Sequence, residues 1–143
     1  MENVSNLESL DTNTLKLLLK NAMDKKREEA QGDFLKFVKT VWPEFVEGKH
    51  HTIYAEKLNR IANGELKRLI VNMPPRHTKS EFASNLFPAF YMGRHPKAKL
   101  IQTTHTGELA IRFGRKAKNM IESSDYEKVF PEVTLAADSK AAG

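Results

Sequence analysis

The sequence predicts an α/β protein: a parallel sheet with a run of helices ahead of it. Three stretches predict this. Leu69-Ile70-Val71 is a short apolar run rich in β-branched side chains, as a strand covered on both faces would be. Pro74 and Pro75 stop it, because neither can donate an N–H to a ladder. Lys79-Ser80 then opens a segment with Phe82, Ala83, Leu86, Phe87, Phe90 and Tyr91 at helical spacing. It fades near Met92-Gly93, and His95-Pro96 makes a turn. Lys99 to Thr104 reads as a second strand. A strand, a helix and a strand on short joints make a βαβ unit, with parallel pairing and a right-handed crossover.

The segments ahead of this unit read as helices. Residues 1–12 are polar and read as a loose N-terminus. Residues 13–64 read as a helical lead-in. Asp11 to Asn13 offer capping side chains, and Leu15, Leu18, Leu19, Ala22 and Met23 form one apolar stripe. Lys25 to Glu29 is a charged tail, either a contact arm or a solvated helix end. Gly32 and Asp33 break and re-cap the chain. Phe34, Leu35, Phe37, Val38, Val41 and Trp42 make a second helix that Pro43 ends. Trp42 reads either as a core aromatic or as a stacking platform for a base.

A third helix runs from about His51 to Asn63, with Ile53, Leu58, Ile61 and Ala62 inward, and Asn63-Gly64 stops it. Adjacent His50 and His51 do not share a helix face, and there is no cysteine, so a metal site is not expected. One of the pair instead lines the loop's pocket or caps the helix. Residues 65–143 then read as the first part of an ATPase-like domain, incomplete at its end. Gly107 to Ser123 is a helix with Leu109, Ala110, Phe113, Ala117, Met120 and Ile121 inward. Its outward Arg112, Arg115, Lys116 and Lys118 form either a phosphate-tracking face or a solvated one. Asp125 to Phe130 adds a turn of helix, and Val133 to Leu135 a short strand.

With 143 residues the chain allows one domain and a modest core. The formal net charge of +5 suits a nucleic-acid partner and equally an ordinary soluble protein. Without cysteine, disulfides and thiolate metal sites are excluded. No apolar run approaches about 20 residues, so no membrane span is expected. The N-terminus lacks the basic start and apolar region of a signal peptide.

A strand, a loop and a helix beginning Lys-Ser is the layout of a phosphate-binding loop. Unpaired N–H groups at the helix start favour an anion. Lys79 stands where a lysine reaches terminal phosphates, and Ser80 where a hydroxyl joins a magnesium ion. The two glycine places of that pattern hold Met73 and Thr78. In a parallel sheet ligands sit at the carboxyl ends of strands, which puts His105 and Thr106 near the loop. His105 then reads as a γ-phosphate sensor or as a polar loop residue.

Trp42-Pro43, His50-His51, Asn63 to Ile70 and Met73-Pro74-Pro75-Arg76-His77-Thr78-Lys79-Ser80 together resemble the large terminase subunit of tailed bacteriophages. So do Gly93-Arg94-His95-Pro96 and the stretches from Phe130-Pro131 to Asp138-Ser139-Lys140. The resemblance covers roughly Phe34 to Gly143. Pro-Pro-Arg-x-x-Lys-Ser is its most specific piece. It implies an ATPase that drives double-stranded DNA into a procapsid, followed by a nuclease domain. Its implied cofactors are ATP and Mg2+, bound through Pro75, His77, Thr78, Lys79 and Ser80, with Ser80 on the metal. Arg76 stands where an arginine stabilises the transferring phosphoryl. The implied partners are duplex DNA, the terminase small subunit, the portal protein and further copies in a ring. The implied setting is the cytoplasm of a bacterial host.

Thr78 departs from the family's usual glycine. The family's second acidic strand is also absent from this stretch, so these residues alone are expected to turn over ATP weakly or not at all. Asp138 is the one late acidic candidate, and it does not end an apolar strand. The alternative is a non-catalytic truncated or relict module that binds DNA or a partner. A helicase or small-molecule kinase fits the loop but not the surrounding wording.

Overall fold

Every regular element among the described residues, 11–135, is a helix in this computed structural model. In chain order they are α1 (Thr12–Gly32), α2 (Phe34–Val41), α3 (Lys49–Ala62), a π turn (Glu81–Leu86) running into α4 (Phe87–Arg94), α5 (Gly107–Ile121) and α6 (Ser124–Val129). The expected parallel sheet and its βαβ unit are therefore corrected: no strand occurs among the described residues. Residues 66–74 and 98–104 carry no regular structure, and 133–135 are not a strand. A strand exists only through a neighbour that takes its N–H and C=O groups. An apolar run supplies side chains for a sheet but cannot supply that neighbour. The expectation of burial on both faces fails with it, since Ile70 is 88% and Ile101 91% exposed.

α2 forms for the reasons its sequence suggests, whereas Asp11 makes no side-chain cap on α1 and Ile53 of α3 faces outward. The Asp33 carboxylate accepts the Lys36 N–H at 2.9 Å and caps α2. Asn59 of α3 completes that cap. Its Oδ1 accepts the Phe34 N–H and its Nδ2 donates to Asp33, both at 2.7 Å. α2 is thereby tied to α3. Its apolar face then enters an aromatic core. Phe34 is fully buried, with ring centroids 5.3 Å from Phe82, 5.4 Å from Phe90 and 5.7 Å from Phe87. Tyr126 closes the far side, and its hydroxyl donates to the Ala89 carbonyl at 3.0 Å, so no polar atom is stranded there. Trp42 is partly buried against Phe45.

The π turn has a sequence cause. In an α-helix the Ser84 carbonyl would accept from residue 88, which is Pro88 and has no N–H. The helix widens instead. The Phe87 N–H reaches back five residues to Phe82, and Gln102 Nε2 donates to the freed Ser84 carbonyl at 2.7 Å. The wider rung changes which residues face in. Phe82, Leu86 and Phe90 are buried as the spacing suggests, but Ala83 is exposed and Asn85 is buried.

α1 differs from the simple picture of an amphipathic helix. Its first half stands clear of the core, with Leu15, Leu17, Leu18, Leu19 and Met23 exposed. Residues 1–10 and 136–143, including Asp138, lie outside the described residues.

The core makes two substitutions costly and one cheap. Phe34→Ala is expected to lower unfolding free energy by about 3–5 kcal/mol. Gly93→Ala would put a Cβ 2.5 Å from the Phe130 ring and is expected to cost about 1–3 kcal/mol by overpacking. Leu17→Ala, on the exposed part of α1, should stay within about 0.5 kcal/mol. Urea unfolding of the three variants checks the ranking.

Candidate functional site

The segment Pro74–Ser80 joins an irregular stretch to a helix, and its backbone is unusual. Arg76 has φ 64° and Thr78 φ 58°, both left-handed. For a β-branched residue such as Thr78 that conformation is rare and costs about 1–2 kcal/mol. The loop is held by short hydrogen bonds. His77 Nδ1 pairs with the Pro75 carbonyl at 2.8 Å, and the Thr78 hydroxyl donates to the His77 carbonyl at 2.6 Å. The Thr78 carbonyl then accepts the Phe82 N–H at 2.9 Å, which opens the helix. Lys79, Ser80 and Glu81 thus make a first turn, whose N–H groups lack partners within the helix.

Lys79 and Ser80 are exposed to solvent. Both line a groove of about 360 Å³ walled by Tyr54, Leu58, Leu69 and Val71. A basic hydroxyl-bearing end and an apolar wall therefore share one groove. Glu81, next in the chain, is drawn the other way. Its carboxylate accepts from Lys116 of α5 at 3.1 Å and from Asn85 at 2.8 Å. This leaves the negative charge nearest to Lys79 in sequence already engaged. A larger cavity, about 470 Å³, lies between α1 and the Phe130–Val133 segment and touches none of these residues.

His51 is the residue that ties this loop to the helical body. It is buried, and its Nε2 lies 2.7 Å from the Thr78 hydroxyl. Its Nδ1 accepts the Gly48 N–H at 2.9 Å, which caps α3. Of the two open readings of the histidine pair, the helix cap falls on His51, while His50 lines a separate groove with Ile53, Tyr54 and Leu69. Burial holds its pKa below the ordinary value of 6.5, and His50 pushes the same way. His50 packs against it with ring centroids 3.8 Å apart, and His77 lies 5.6 Å from His50. Among the described residues no group of three or more His, Asp or Glu side chains could hold a metal ion.

The structure brings Pro75, Arg76, His77, Thr78, Lys79 and Ser80 into one exposed loop and helix start, as contiguous residues must be. Thr106 has a local structural part at the start of a helix. It caps α5, its hydroxyl accepting the Leu109 N–H at 3.3 Å, and His105 beside it is exposed. No sheet exists among the described residues to carry either toward the loop. Sequence reasoning missed Glu81, Asn85 and Gln102 as supports of the helix start. Pro88 was the available signal. No helix of the described residues is long and apolar enough to cross a membrane. Comparison with family models, curated proteins and solved structures returns no match. The terminase resemblance therefore rests on the motif residues alone.

Arg76 separates stability from any chemistry of the loop. Arg76→Gly relieves the left-handed penalty of about 1–2 kcal/mol, less the entropic cost of glycine. The expected net result is a gain of up to about 1 kcal/mol in denaturant unfolding. Arg76→Val at the same position should destabilise instead.

Proposed function

We propose that the 75–80 loop binds the phosphates of ATP with magnesium, and that this chain is the front part of a DNA-packaging ATPase of the large terminase class. The observation that carries the reading is the pairing of Lys79 and Ser80 in an exposed first helical turn that lines a groove with apolar walls. In this reading Lys79 offsets charge on the terminal phosphates. The helix-start N–H groups add donors aimed at the same anion. Ser80 would be the residue that holds magnesium, through its hydroxyl oxygen, a ligand type this ion prefers. Magnesium would offset charge on the β- and γ-phosphates. Arg76, always charged and able to bond phosphate oxygens in a fork, would stabilise the γ-phosphoryl during transfer to water. The apolar wall at Tyr54 and Leu58 suits the base.

The reading does not rest on a sheet. A helical body can present the same loop, because the donors belong to the helix start and its flanking backbone. DNA, the small subunit, the portal and further copies of the chain would be its partners, in the cytoplasm of a bacterial host. The net charge of +5 and exposed Arg112 and Arg115 on α5 agree with a DNA partner.

Calorimetric titration with Mg·ATP tests the reading. Wild type is expected to bind, Lys79→Ala to bind at least about tenfold more weakly as a charge-assisted contact is lost, and Lys16→Ala on α1 to match wild type. No Mg·ATP binding by wild type, with duplex-DNA binding that falls steeply with salt and loses only one charge's worth in Lys79→Ala, would leave the non-catalytic DNA module standing instead.

A further inference from the structure

The contact between His51 and Thr78 joins residues 27 apart, and its hydrogens run in one direction only. A backbone N–H can only donate, so His51 Nδ1 must carry a lone pair toward Gly48. The ring proton of the neutral imidazole is then on Nε2, and it donates to the Thr78 Oγ1 at 2.7 Å. The Thr78 hydroxyl hydrogen is thereby free to donate to the His77 carbonyl at 2.6 Å. Gly48, His51, Thr78 and His77 form one relay from the start of α3 into the loop. It passes through Thr78, the residue held at φ 58° directly before Lys79. A left-handed threonine persists only where its surroundings fix it, and this relay is what fixes it.

We propose that His51 is a pH-sensitive positioning residue: neutral and anchored on the Gly48 N–H, it latches Thr78 in the conformation that presents Lys79 and Ser80; protonated on Nδ1, the ring loses that anchor, turns off its seat and lets the loop go. This rests on the nucleotide-binding reading for its consequence, though not for the latch itself. A second proton would have to sit on Nδ1, where it meets the Gly48 N–H, so donor would face donor and the cap would break. The groups around the ring oppose that proton on balance. Phe45 and Phe82 pack against it at 4.8 and 5.4 Å between centroids and offer no charge. His50 on its own helix and His77 in the loop disfavour a positive ring, while Glu47 favours one. Glu47 is itself bonded by Lys39 and Thr52, which hold it ionised. The folded state thus prefers neutral His51. Because the folded pKa is lowered, the stability this supplies is present above the ordinary value of 6.5 and is lost as pH falls through the folded pKa.

The test separates the two ends of the ring. His51→Gln places an amide N–H near the Nε2 position but gives up the Gly48 bond. His51→Asn keeps an acceptor for Gly48 but does not reach Thr78. NMR titration of the full chain from pH 8 to 5 follows the Thr78 amide. It is expected to shift with His51 protonation in wild type and to sit near the low-pH position throughout in both H51Q, which lacks the Gly48 anchor, and H51N, which lacks the Thr78 bond. Mg·ATP affinity should fall roughly tenfold over that range in wild type, the worth of one hydrogen bond of this kind, and lose that component in H51Q.

A Thr78 signal that ignores His51 protonation, or that H51N leaves as in wild type, overturns the latch. Mg·ATP binding with the same pH profile in wild type and H51Q also overturns it, and leaves the nucleotide reading intact. A titrating Thr78 in a chain that fails to bind Mg·ATP at pH 8 keeps the latch and sinks the nucleotide reading. If the His51 variants unfold, Thr78→Gly decides: it keeps the backbone conformation without the hydroxyl. A flattened pH profile supports the latch, and an unchanged one overturns it.

Discussion

Burial of Phe34 is the constraint on which the other placements depend. α2 has only eight residues, too few to hold a helix in water without tertiary support. It persists because Phe34, Phe37 and Val38 are buried among rings from the π turn, α4 and α6. The cap at its start is shared with Asn59, so the burial of α2 also fixes where α3 lies. Phe82 touches both Phe34 and the His51 ring, so the same cluster sets the π turn against α3. The loop at Thr78 is positioned from two sides by this packing. Its geometry is a result of the aromatic core and not of a neighbouring sheet.

Local signals in the sequence translated well, and signals that needed a distant partner did not. The break at Gly32-Asp33, the stop at Asn63-Gly64 and the helix at 107–121 are each decided within a few residues, and each appears where the spacing placed it. Leu69-Ile70-Val71 and Lys99 to Thr104 have the composition of strands. Pairing is a property of two segments, and the composition of one is silent about the other. Pro88 was legible and was passed over. An apolar stripe at helical spacing conceals a single proline, yet its missing N–H is enough to widen the helix and bury Asn85 in place of Ala83. His51 was half legible. Its place at the start of α3 suggested a cap, but nothing in the spacing of residues 51 and 78 says that the two meet.

Charge plays a smaller part in holding this body together than its abundance suggests. The ion pairs are largely solvent-facing: Lys36 with Glu29, Lys39 with Glu47, Lys128 with Asp125. Such pairs are each worth little and fade with salt. Lys116 with Glu81 has a different use, since it orients the residue that follows Ser80. The excess of positive charge is therefore left to act on partners, while the fold leans on its aromatic rings.

The π turn also carries a consequence for how such a chain could tolerate change in length. A π turn is an α-helix with one residue too many, accommodated locally. Removing one residue between Glu81 and Leu86 would take out the extra residue and return the segment to α-helical register, with the hydrogen bond that Pro88 cannot donate left open. Each residue is worth about 100° of rotation about the axis. Phe90 and the core side would stay seated, and everything upstream would turn by that angle. Lys79 and Ser80 would then point away from α3, and Thr78 would leave His51 behind. A deletion that looks like an improvement of the helix would dismantle the loop, so the length of this segment is as specific as its composition.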